Sequence, residues 1–299
     1  MTSRTELSGQ ADSAPITRLD LGDVELAFLP DGVHHVEAHS QFPTTPRAIW
    51  HAHPEVFDRD GMLVMSVGSV LVRTPDEVVL VDLGFGPRTI DIADVTNGAH
   101  RGDLVGGRLL DSLAAVDLTP DRVDTVVFTH LHIDHVGWLG RPEDPARHTF
   151  ERARYLVLRD EWNHWRRPER MALGTSVTEA QVALLSERIE TPAGRHTVTS
   201  RVTLVPTPGH TPGHACVHVQ GSTGRALILG DALHCPIELV HPGQTFVFDE
   251  HHGLAAGSRA AIDRILAEPA TWFAGGHFPN RVFGRLRRTD GRRHIDWEA

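Results

Sequence analysis

The chain of 299 residues contains no lysine. All 29 of its basic side chains are arginine, so a lysine Schiff base and a P-loop lysine are both excluded. No Gly-x-Ser-x-Gly segment occurs, which counts against a serine hydrolase built on a nucleophile elbow. The two cysteines, Cys216 and Cys235, are too few for a disulfide scaffold and are expected as buried free thiols. No apolar run approaches the roughly 20 residues needed to span a bilayer. Residues 1–15 are small and polar without an apolar h-region, so they are expected to form a loose tail, and the protein is expected in the cytoplasm. Positive charge is in deficit: the net charge of -10 argues against a nucleic-acid backbone as partner. It does not exclude a small anionic substrate where a metal brings its own charge.

What the chain has in quantity is histidine, 21 of them, concentrated where apolar runs end. Residues 123–128 form a short β-branched run that reads as a buried strand. Directly after it comes Thr129-His130-Leu131-His132-Ile133-Asp134-His135-Val136-Gly137. His130, His132 and Asp134 alternate, so an extended backbone sends them to one side. Imidazole and carboxylate donors at that density suit zinc or a similar divalent ion. Three further apolar runs end in the same way. Residues 201–205 lead into Pro206-Thr207-Pro208-Gly209-His210-Thr211-Pro212-Gly213-His214, residues 225–229 into Gly230-Asp231, and residues 272–274 into Gly275-Gly276-His277. Pro and Gly at these points fix the turns that hold a side chain rigidly at a strand end.

Elsewhere, alternation predicts strands over 16–30, 62–72, 78–82, 155–158, 215–220 and 282–286, with a turn at Asp31-Gly32. Helical spacing predicts helices over 104–116, 160–165, 178–189 (capped by Thr178) and 258–266. Residues 34–60 are irregular and carry His34, His35, His39, His51 and His53, whose spacing fits no metal site and which read as surface or pocket-rim residues. Residues 19–288 contain no long linker, and residues 16–299 are expected to fold as one domain of two similar facing sheets with helices outside.

The ordered set His130-x-His132-x-Asp134-His135, His210, Asp231, His277 resembles the metallo-β-lactamase superfamily over about residues 19–286. The resemblance implies an α+β fold: an αββα sandwich of two facing mixed sheets with metals at one edge. It also implies that His130, His132 and His210 hold one ion, that Asp134, His135 and His277 hold a second, and that Asp231 bridges both. Two divalent cations follow, zinc first, with iron, manganese or cobalt accepted by the same donors. A hydroxide between ions about 3.5–4 Å apart is then the expected nucleophile, and Asp134 is a candidate to orient it and pass its proton to the leaving group.

Departures within the resemblance narrow the branch. Asp231 stands where the lactamases themselves carry cysteine. Short acyl-homoserine lactonases carry tyrosine three residues past the bridging aspartate; here that position is His234, as in the methyl parathion hydrolase branch and the longer lactonases related to it. His234 is therefore a candidate hydrogen-bond donor to substrate, with a supporting role beside the metals as the alternative. The segment 34–60 is expected as an N-terminal extension near the pocket. The implied substrate is a small ester, foremost a lactone of the acyl-homoserine type, with aryl esters and organophosphates as further substrates; a homodimer is admitted. A glyoxalase II-like thioesterase and an iron-dependent redox member are the competing readings. The arginines at 281, 285, 287, 288, 292 and 293 read as a solvated edge and not as a glutathione site. Trp138, Phe246 and Phe278 are candidates to line the pocket, and a Cys216–histidine nucleophile is set aside because metals already supply one.

Overall fold

Strict alternation along short β-branched strands builds this molecule from the inside. In Val78–Val81, Val79 and Val81 point to one face and Leu80 to the other; Val127 and Val126 divide likewise, as do Leu156 and Tyr155. The first set meets Val202, Leu204, Val217, Val219, Ala226 and Ile228 of a second sheet, forming the core between the sheets. The second set packs under helices, with Leu109, Leu113, Leu184 and Leu185. Each such fully buried side chain contributes roughly 1.5–3 kcal/mol. The outer face of the second sheet is covered by the helix His252–Leu266, through Ile262 and Leu266.

The computed structural model describes residues 9–298. The first sheet runs in the order Thr89–Asp91, Gly102–Val105, Glu25–Val36, Leu63–Arg73, Val78–Val81, Thr125–Val127, Arg154–Leu156, Ile189–Glu190, with Thr17–Asp20 pairing on Glu25–Val36. The second runs His196–Thr197, Val202–Pro206, Ala215–Gln220, Arg225–Ile228, Thr271–Ala274, Phe283–Thr289, Arg292–Trp297. Both are mixed: Val78–Val81, Thr125–Val127 and Arg154–Leu156 are parallel, as are Arg225–Ile228 and Thr271–Ala274. The result is the expected αββα sandwich.

Three sequence expectations give way here. Asp31-Gly32 is no turn: the strand continues through a bulge between Pro30 and Gly32. The Asp31 carboxylate, left over at the bulge, accepts from the backbone N–H groups of Phe85, Gly86, Gly107 and Leu109 and from the Trp138 indole. Residues 104–116 are not one helix, because Gly102–Val105 pairs with Glu25–Val36 as a strand and only Leu109–Ala114 is helical. The arginine-rich end, by contrast, is the solvated edge expected of it: an edge hairpin of the second sheet whose arginines stay exposed or half-buried, paired as Arg287–Asp296, Arg288–Asp263 and Arg293–Asp263. Of the expected loose tail, residues 1–8 lie outside the described residues, and residues 9–15 are packed. Gly9 and Ala11 donate to the Asp58 and Phe57 carbonyls, and buried Ala14 donates to Ser66 Oγ, so backbone pairing fixes a segment whose composition alone suggested none.

Residues 34–60 form the end of a strand, two short helices (Ala38–Gln41, Arg47–Ala52) and a 3-10 turn Pro54–Val56. Phe42, Trp50, Val56 and Phe57 bury themselves against Cys235, Ile237 and Phe246. The extension therefore packs on the segment that follows Asp231.

Candidate metal centre

The ligand-type residues all emerge just past strand ends: His130 to His135 after Thr125–Val127, His210 after Val202–Pro206, Asp231 after Arg225–Ile228, His277 after Thr271–Ala274. Asp231 stands at the middle. Its Oδ2 lies 3.4 Å from His210 Nε2 and 3.6 Å from His130 Nε2; its Oδ1 lies 3.0 Å from His277 Nε2 and 3.1 Å from His135 Nε2. His132 Nδ1 is 3.0 Å from both His130 Nε2 and His210 Nε2. Asp134 Oδ2 is 3.6 Å from His277 Nε2 and 3.7 Å from His135 Nε2. Two donor groups result, His130/His132/His210/Asp231 and Asp134/His135/His277, each with its donor atoms within 4.8 Å of one another. All seven residues singled out in the sequence are brought together.

The surrounding hydrogen bonds decide which nitrogen of each ring faces inward. Asp82 Oδ2 accepts from Thr129 Oγ1 at 2.8 Å, and Asp82 Oδ1 accepts from the Thr129 backbone N–H at 2.8 Å. With its one hydrogen spent on a carboxylate, the Thr129 hydroxyl accepts from His130 Nδ1 at 3.1 Å, leaving His130 Nε2 a bare lone pair. His135 Nδ1 donates to Asp82 Oδ2 at 2.9 Å and His277 Nδ1 to the Ser66 carbonyl at 2.7 Å, so in both rings Nε2 is the nitrogen that faces inward. His210 Nδ1 faces Asp249 Oδ1 at 3.4 Å. His214 stands behind the centre: its Nε2 accepts the Asp231 backbone N–H at 3.0 Å and its Nδ1 meets Thr207 Oγ1 at 2.9 Å. Cys216 approaches Thr207 and the Leu229 carbonyl, and burial pushes its thiol up to about 12, so it is no nucleophile.

Electrostatics divide the centre in two. Burial, reinforced by neighbouring imidazoles, lowers His132 to about 3 and His210 to about 4 and takes His130 well below its usual range, so these rings are neutral. Burial opposes charge on His277 and His135 as well, but there Asp231 and Asp134 outweigh it. His277 rises to about 9, and His135, with Asp82 also beside it, rises well above the usual imidazole value. Three neutral nitrogen lone pairs converging at about hydrogen-bond distance, beside carboxylates that draw positive charge, form a donor set for divalent metal. Buried His135 Nε2 and Asp231 Oδ1, neither with a hydrogen-bond partner among the described residues, fit the same conclusion.

Against this centre lies a cavity of about 440 Å³. Met65, Ile133, Trp165, Leu173, Phe246 and Phe248 give it apolar walls, and Asp134, Asp231 and His234 lie at its polar floor. Phe246 thus takes the place expected for it. Trp138 and Phe278 do not: Trp138 is held by Asp31, and Phe278 packs on Phe273 and Trp297 in the second sheet's outer core. His34 lines the cavity; His53 instead pairs with His241, Nε2 to Nε2 at 2.8 Å. None of the six C-terminal arginines reaches the cavity.

Sequence reasoning passed over Asp82, Asp249, Glu161 and Glu238. Glu161 is fully buried in the helix Arg159–Trp165. Its Oε1 accepts from Leu131 N–H, and its Oε2 from Thr211 Oγ1 and Gly213 N–H, which ties the His130 and His210 loops together. Burial lifts its carboxyl to about 7 against the pull of those donors. For Asp82 a signal existed: like Asp231, it closes an apolar run, and a glycine-rich turn follows it.

Such a centre at the edge of a two-sheet sandwich defines a metal-binding protein of the αββα kind. The chain belongs to the Metallo-beta-lactamase superfamily, whose pattern matches residues 64–277. It is 24% identical over 174 residues to an N-acyl homoserine lactonase of Bacillus thuringiensis, a match that covers 56% of this chain and 64% of that protein, under two thirds of the relative's length. An N-acyl homoserine lactonase of a Bacillus species is 26% identical over 223 residues, covering 72% of this chain and 82% of the relative. Among solved structures, AidC, a dizinc quorum-quenching lactonase in complex with a product, superposes with a TM-score of 0.78 at 22% identity, covering 98% of this chain and 99% of that one. A hydrolase of the beta-lactamase superfamily, AbOPH, gives 0.76 at 23% identity, covering 96% and 97%.

Proposed function

We propose that this protein is a dinuclear-metal hydrolase that opens small esters, foremost lactones of the acyl-homoserine type. The observation that carries the reading is Asp231, whose two carboxylate oxygens each face a separate imidazole group at the floor of an apolar cavity. His130, His132 and His210 would hold one ion, Asp134, His135 and His277 the other, and Asp231 would be shared. Zinc suits these donors, and the dizinc centre of AidC supports the choice. When bound, a pair of divalent ions supplies an acidified water and Lewis-acid polarisation of the ester carbonyl.

The chain's own residues do the rest. Asp134, the more open of the two central carboxylates, orients the attacking water, accepts the proton it gives up on attack and hands that proton to the leaving alkoxide. His234 Nε2, 3.2 Å from Asp231 Oδ2, donates to the carbonyl oxygen as charge develops there. Phe246, Trp165 and Met65 take up an acyl chain and exclude water. Aryl esters and organophosphates are served by the same polar floor. Among the described residues no arginine cluster lines the cavity to favour a glutathione thioester.

The test is a panel of homoserine lactones, aryl esters, phosphotriesters and thioesters offered to metal-loaded protein, with Asp231→Ala as control. Lactone turnover that the substitution nearly abolishes is expected. Undiminished turnover in Asp231→Ala, or a fully active preparation free of metal, would overturn the reading.

A further inference from the structure

One side chain behind the centre reaches toward three of its segments at once. Arg259 lies on His252–Leu266, next to Ser258, whose hydroxyl donates to the Pro208 carbonyl at 2.7 Å and so docks this helix turn on the His210 loop. Arg259 Nη2 is 2.8 Å from Asp249 Oδ2, and the other oxygen of that carboxylate faces His210 Nδ1 at 3.4 Å. Arg259 Nε donates to the carbonyl of Ala232, the residue after Asp231, at 2.8 Å. The same Nε is 3.5 Å from Glu238 Oε1, while Glu238 Oε2 accepts the backbone N–H groups of His234 at 2.6 Å and Cys235 at 3.0 Å. The Asp249 and Glu238 side chains are 0% and 1% exposed, so these contacts are made out of water.

We propose that Arg259 is a positioning residue of the metal centre, fixing His210, the Asp231 turn and the His234 segment relative to one another. The guanidinium is what makes this feasible: its Nε donates to the Ala232 carbonyl in a fixed direction while Nη2 carries the same charge to Asp249, whereas an ammonium is a point charge on a flexible stem. Partners that orient metal ligands cost about 10- to 100-fold in affinity or activity when removed. The inference rests on the reading of the centre given above, and reaches it through metal binding as well as through turnover.

The experiment compares wild type with Arg259→Lys, which keeps the charge and loses the fork. Zinc affinity, read by chelator competition, and kcat on a homoserine lactone should each fall about 10- to 100-fold, with KM moving less than about threefold. Added guanidinium ion should restore part of the activity of Arg259→Ala, and Asp249→Asn should reproduce the loss of zinc affinity. Wild-type zinc affinity and kcat in Arg259→Lys would overturn the proposal. So would a loss in Arg259→Ala that follows only the folded fraction by circular dichroism and is not relieved by guanidinium. A wild type inactive on lactones with weakened zinc binding in Arg259→Lys would sink the substrate reading and leave the positioning role standing. Unchanged zinc binding in an active lactonase would do the opposite.

Discussion

His234 lies flat against Phe246, ring centroids 3.5 Å apart and planes inclined by 17°. The stack confines the imidazole to its own plane, and within that plane Nε2 points toward Asp231. Neither ring nitrogen has a hydrogen-bond partner among the described residues, although both are buried. A polar group held so firmly and left unpaired is suited to a substrate oxygen.

His234→Phe is therefore expected to keep its metal and to lose kcat by about 100-fold, the cost of removing one donor to a developing oxyanion. Elemental analysis alongside steady-state kinetics checks this. Metal lost in step with activity would instead make the ring a support of the centre.

Glu161→Gln should destabilise the fold by about 1–3 kcal/mol, because an amide group would turn an N–H donor toward one of three groups that themselves donate. The His130 and His210 loops would part at the same time, since Glu161 accepts from Leu131 in one and from Thr211 and Gly213 in the other. Urea unfolding of the two proteins, each with its metal content measured, is the check. Equal midpoints would mean that the three donors find other acceptors.

The metal ligands were legible in the sequence because each follows an apolar run and is framed by Gly, Pro or another ligand, so a local pattern announces a position fixed by the sheet. The sandwich was legible for the same reason: Val79, Val81 and Leu80 divide between two cores by simple alternation. Asp249 and Glu161 were not, and Asp82 only by its place at the end of an apolar run. Each acts on a partner about 40 to 50 positions away, and an isolated acid in a chain with 39 of them reads as surface until the fold buries it. Residues 104–116 misled for a related reason: Leu104 has helical spacing with its neighbours, but pairing with His34 supplies backbone bonds that local propensity cannot foresee.

Gly230→Ala should be severe for a single methyl. The backbone there has φ +52°, and an added Cβ would stand 2.6 Å from His214 Nε2 and 2.8 Å from Thr129 Cβ. The left-handed conformation alone costs about 1–2 kcal/mol for a side-chain-bearing residue. The steric conflict adds to it by pushing His214 off the Asp231 backbone N–H that it accepts. Loss of both stability and zinc affinity is expected, measured by chemical unfolding and chelator competition. Wild-type zinc affinity in the variant would show that His214 does not hold the Asp231 turn.

Removing the metals should expose a pH dependence that the loaded protein lacks. In the chelated protein burial opposes charge on His277, but Asp231 and Asp134 outweigh it and raise the ring to about 9, from about 6.5 for an ordinary imidazole. A folded-state pKa above the unfolded one means that the native protein binds the proton more tightly. The stabilisation is complete below pH about 6.5 and is lost as pH rises through about 9. His135, raised by the same two carboxylates and by Asp82, acts in the same direction. Divalent ions compete with these protons for the same nitrogen atoms. The thermal midpoint of chelated protein should accordingly fall between pH 6.5 and 9 while that of zinc-loaded protein changes little, as read by scanning calorimetry across a pH series. A chelated midpoint that stays level or climbs across that window would mean that the two carboxylates do not hold protons on these rings, and the charge balance derived for the centre would fail with it.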